Sequence, residues 1–154
     1  MKRGKFKFSH SLLGIVGLLI IEALFVMFAP ALGVAAILIS ALVGGVAIVV
    51  IATDVIEEVR ESTKMLLFLS ITIVEFMLLF AFQYHFLLHL DPESFRDIAQ
   101  DPVTLLLQSA MVFALNPLYL PETIAAKALL LIDTLESLVL ALFVLQNIWQ
   151  LHRK

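Results

Sequence analysis

Cysteine is absent from the 154-residue chain, which excludes disulfides, thiolate-held zinc, iron–sulfur clusters and thiol nucleophiles. Charge is scarce: 15% of residues are charged, against about 25% in a soluble domain. Glycine ends early, the last of six being Gly45, so no glycine-rich phosphate loop follows. No serine, histidine and acid gather in a pattern for nucleophilic catalysis, so no enzyme and no cofactor is expected. A net charge of -3, with the basic residues mostly at the ends, gives no footing for nucleic acid. What is present is apolar: 62% hydrophobic residues and a mean hydropathy of +1.06. That describes a membrane protein, and 17.1 kDa leaves room for one bundle of about four spanning helices.

The first ten residues hold Lys2, Arg3, Lys5 and Lys7, and an apolar run follows over 12–29, broken only by Glu22. A charged start before an apolar run is the form of a signal peptide. This run outlasts a usual h-region and a second follows at once, so it reads as a retained helix. Pro30 suits a tight hairpin before the second run, 31–53, which carries no charged side chain. A polar loop spans 54–64, and the third run, 65–90, ends in Gln83, His85 and His89. After polar residues 91–101, the apolar piece 102–113 is too short to span at about 1.5 Å per residue. It fits a re-entrant or interfacial helix. The last run covers 122–151. The expected fold is an all-α integral membrane protein of four transmembrane helices plus one short re-entrant helix, with an N-terminal hairpin unit (1–64) and a second unit (65–154).

Orientation follows from lysine and arginine. With the N-terminus in the cytoplasm, eight of the ten basic residues lie inside and only Arg96 and Lys127 outside. Both termini are then cytoplasmic. Ala36, Ser40 and Gly44, with Ala41 and Gly45 offset by one, form a small-residue face that lets helices approach closely in lipid. Packing within the chain is the simpler use of that face, dimerisation the other.

Glu22, Glu75, Asp133 and Glu136 each fall near the middle of an apolar run. One acid at a helix centre costs about 2.5–3.5 kcal/mol on the insertion scale, so four facing lipid would cost roughly 10 kcal/mol. They should face protein or water, either protonated and hydrogen-bonded or lining a hydrated path. Asp133, Glu136, Ser137 and Asn147 share about 80° of helix arc, a polar stripe that reads as pore lining or as a buried seam. His85 and His89 stand at i, i+4 near Asp91. That set is a weak metal candidate and equally suits polar anchoring at the membrane surface.

His89-Leu90-Asp91-Pro92-Glu93-Ser94-Phe95, the stretch Thr104 to Val112, Pro121-Glu122-Thr123, Lys127 and Asp133 together resemble the two-helix pore domain of the potassium-channel superfamily. The resemblance covers residues 65–154 and is to prokaryotic members with an added N-terminal hairpin. It implies an outer helix (65–90), a pore helix (102–113), a filter-position loop (114–121) and an inner helix (122–151) with Ser137 at the hinge position. It further implies a homotetramer around an axis in a prokaryotic cell membrane. The filter signature Thr-Val-Gly-Tyr-Gly is missing. Phe113, Ala114, Leu115, Asn116 and Pro117 stand at those positions.

A potassium filter aims successive backbone carbonyls at the axis, which calls for positive φ and hence glycine. Pro117 further restricts itself and Asn116. A potassium-selective filter is not expected. Two functions remain. The chain is a channel-like tetramer, weakly cation-selective or with a degenerate pore, or it is a non-conducting structural or accessory subunit of a larger membrane complex. In the first, Asp91, Glu93, Asp97, Asp101 and Glu122 against Arg96 and Lys127 leave about -12 per tetramer to concentrate cations. Asn116 and Gln108 would offer polar groups at the constriction, with Asp133 and Glu136 lining the cavity below.

Overall fold

A computed structural model describes residues 17, 20, 24, 27, 28, 30–58 and 62–152. These form helices α1 (Pro30–Glu58), α2 (Ser62–Leu90), α3 (Pro102–Phe113) and α4 (Ile124–His152). Among the described residues there is no strand, only a single antiparallel bridge between Phe95 and Pro121. The first apolar run is described only at Gly17, Ile20, Leu24, Met27 and Phe28, all helical. Glu22 lies outside the described residues.

Three helices contain stretches long and apolar enough to cross a membrane: Leu32–Ile56, Thr63–Leu90 and Ile124–Trp149. The chain is a multi-pass membrane protein in these terms. Its surface agrees. Leu42, Val46 and Val50 on α1, Leu67, Val74 and Phe82 on α2, and Leu131, Leu138 and Leu145 on α4 are all exposed. A helix apolar all round sits in a core or in lipid, and here both faces are used.

One boundary differs from the sequence expectation. The charged 54–64 segment is largely helical, since α1 continues to Glu58 and α2 starts at Ser62. Charged side chains are good helix formers once the chain leaves the apolar region.

The core is aromatic and aliphatic, with Phe76, Phe80, Tyr84, Leu87 and Leu88 of α2 fully buried against Ile37, Ala41 and Ile48 of α1 and Leu129 and Leu140 of α4. The small-residue face of α1 packs inside the chain: Ser40, Ala41, Gly44 and Gly45 are all buried. Asp101 caps α3, accepting from the amides of Val103 (3.1 Å) and Thr104 (2.9 Å) and from Thr104 Oγ1 (2.6 Å). The proline that follows it supplies the first residue of the helix.

Candidate functional site

Two features gather the polar side chains. The first is a buried cluster where α1, α2 and α4 meet. Tyr84 donates its hydroxyl to Asp133 Oδ2 at 2.6 Å, and Ser137 donates to Asp133 Oδ1 at 3.2 Å. Tyr84, Asp133 and Ser137 are fully buried. One turn along α4, Glu136 is also buried, and neither carboxylate oxygen has a hydrogen-bond partner among the described residues. Its carboxylate lies against Gly45, in the space a β-carbon there would fill. Gly45 and Glu136 each stand near the midpoint of their apolar stretches, so they meet at one depth.

The polar stripe of α4 is thus turned into the chain's own bundle. Asn147, at its C-terminal end, donates to Phe143 O at 2.8 Å on its own helix. Thr53, Ser70, Thr72 and Thr134 back-bond four residues upstream in the same way. Glu75 is half-buried, one carboxylate oxygen enclosed without a partner. Gln83 is buried and donates to Ser40 Oγ at 3.3 Å, linking α2 to α1.

The second feature is the hairpin of α3 and the segment after it. The Phe113 ring lies 6.4 Å from that of Phe76, which stands midway along Thr63–Leu90. The chain then returns: Arg96 N donates to Leu120 O at 3.0 Å, and Glu122 N donates to Ser94 O at 2.8 Å. An ion pair between Arg96 and Glu122, 2.6 Å, closes the same junction. Thus 91–101, α3 and 114–121 form a hairpin whose two ends meet at the Arg96–Glu122 junction.

Helix α3 ends with a residue in the left-handed region. Leu115 has φ 58°, with its amide donating to Val112 O and that of Asn116 to Met111 O, both at 2.8 Å. This is the Schellman arrangement, whose left-handed position is usually glycine. Positive φ is therefore reached in this segment without glycine, at one residue. Gln108, fully buried on α3, holds the returning strand: its Oε1 accepts from Leu118 N (3.0 Å) and Tyr119 N (3.1 Å). Asn116 is exposed, and its side chain makes no hydrogen bond among the described residues. Ala114, Pro117, Leu118 and Leu120 are exposed beside it, and Phe113 is partly buried against Phe76.

The polar residues of 91–101 have structural work. Phe95 is buried edge-on against Tyr84, centroids 5.4 Å apart, and Ser94 Oγ donates to Asp91 O at 2.6 Å. Hydrogen bonds from Thr104 hold the Asp101 carboxyl below its ordinary range. His85 and His89 are exposed, and His85 lies beside Phe86 at the rim of an apolar groove between α2 and α3. Among the described residues, no group of three His, Asp or Glu side chains comes together as a metal site; His85, His89 and Asp91 are not gathered. Sequence reading missed Tyr84 as a partner of Asp133 and Gly45 as the seat of Glu136. For Gly45 and Glu136, their shared position near the middle of separate runs was the available signal. Comparison of the chain with protein-family models, with curated proteins and with solved structures finds no match.

Proposed function

We propose that the chain is a channel-like membrane subunit, assembled as a homotetramer around the α3 hairpin and not selective for potassium. In this reading it has four transmembrane helices, the first being the run at 12–29, and α3 is a re-entrant helix. Both termini lie in the cytoplasm of a prokaryotic cell. The assembly is a weakly cation-selective pathway or a pore closed by its own loop.

One observation carries the proposal. Segment 114–120 begins beside Phe113 at mid-span depth, is irregular, and is exposed on the single chain, with Leu115 57% and Leu120 60% accessible. Irregular backbone within the hydrocarbon region is tolerated only where protein covers it or water lines it. Copies of the same segment meeting at an axis supply both. Asn116, with its free amide, is the group offered to that axis, and Gln108 positions the segment behind it. Asp133 and Glu136 act from inside the wall of each subunit.

The cysteine-free chain makes the test direct. Asn116→Cys, oxidised in the membrane, is expected to give a disulfide-linked dimer, whereas Leu67→Cys on the exposed face of α2 stays monomeric. No cross-link at position 116 under conditions that oxidise a free thiol there would reject a shared axis. A fixed-stoichiometry complex with an unrelated membrane chain would favour the accessory-subunit reading, in which the apolar loop docks on that partner.

A further inference from the structure

We propose that Glu136 is a proton-binding site in the middle of the bundle, its carboxyl carried as the neutral acid beside the hydrogen-bonded Asp133. The two acids sit three residues apart on α4 in different surroundings. Asp133 accepts from Tyr84 and Ser137, which together spread and satisfy a carboxylate. Glu136 is more than nine-tenths buried, and both its oxygens are enclosed without a donor.

An unpaired carboxylate in such a place bears its full desolvation cost, and a like charge one turn away adds to it. The surrounding elements offer no relief. Among residues 32–53, which carry α1 through the apolar depth, there is no charged side chain. The titratable groups on α2 at this level are Tyr84, committed to Asp133, and Glu75, itself an acid. On α4 there is Asp133, and α3 carries no titratable side chain at all. With no cation in reach among the described residues, a proton is the ligand that neutralises the site. Gly45 makes room for it: the carboxyl occupies the hollow left by the missing side chain. This site belongs to one chain and does not depend on the tetramer.

Infrared spectroscopy of the full chain in lipid at neutral pH reads the state without any reagent having to enter. The expected spectrum contains the C=O stretch of a protonated carboxylic acid. That band shifts on incorporation of carbon-13 glutamate, is lost in Glu136→Gln, and persists in Asp133→Asn and Glu75→Gln. Isotope labelling assigns the band to glutamate, and its persistence in a Glu22→Gln, Glu75→Gln double variant places it at Glu136 even where Glu136→Gln fails to fold. Absence of a protonated-acid band, a band indifferent to labelled glutamate, or one that survives Glu136→Gln would overturn the proposal.

Discussion

Tyr84 on α2 and Asp133 on α4 are joined by a 2.6 Å hydrogen bond inside a fully buried seam. It ties together the two long helices that flank the α3 hairpin. A hydrogen bond to a charged group contributes about 1.5–3 kcal/mol in water-soluble proteins, and interhelical bonds in membranes average about 0.6 kcal/mol. Tyr84→Phe removes only the hydroxyl, so it should cost about 1–2 kcal/mol of thermal or denaturant stability in detergent. Phe95, edge-on to the ring, should keep its place.

Gly45 and Glu136 should behave as a coupled pair. A methyl group at position 45 falls on the Glu136 carboxylate, which is packed and has nowhere solvated to go. Gly45→Ala should therefore destabilise the wild type and do so less in a Glu136→Ala background. A double-mutant cycle should return a coupling of about 1 kcal/mol or more. Gly33 is the control. There the added carbon meets only a terminal methyl of Leu90, at 2.6 Å, and that side chain can turn aside.

Leu115 holds a backbone conformation that favours glycine. The left-handed region costs a residue with a side chain about 1–2 kcal/mol, offset in part by the greater unfolded freedom of glycine. Leu115→Gly should raise stability by about 0.5–1 kcal/mol, and β-branched Leu115→Ile should lower it. Calorimetry of the purified protein separates the two.

Asp101 gives a pH prediction with a definite sign. Its carboxyl is held below the ordinary range by hydrogen bonds from Thr104, so its folded-state value lies under its unfolded one. The stabilisation it brings is present above the unfolded value and is lost as pH falls through the folded one. Asp101→Ala should lower the melting temperature slightly near neutral pH and leave a flatter profile at acid pH. A variant whose acid limb matches the wild type would remove Asp101 from this role.

The spans were legible because a 62% apolar composition and long, sparsely charged runs suit lipid rather than water. The α3 helix was legible from Pro102 at its start and its shortness. The partners of the acids were not. The long helices are apolar on every side, so no 3.6-residue pattern says which face turns inward. Asp133 could be assigned to protein or water, yet nothing local names Tyr84, 49 residues away. The hold of Gln108 on the amides of Leu118 and Tyr119 was equally hidden, since backbone donors have no sequence signature. The 54–64 segment was misjudged for the opposite reason: its charges read as loop where they decorate helix ends.

The most direct measurement is the mass of the purified particle in a lipid nanodisc or mild detergent, corrected for bound lipid. The exposed 114–120 segment has to be covered, and the account predicts four chains of 17.1 kDa in one closed particle. A stable, folded particle of a single 17.1 kDa chain would contradict it.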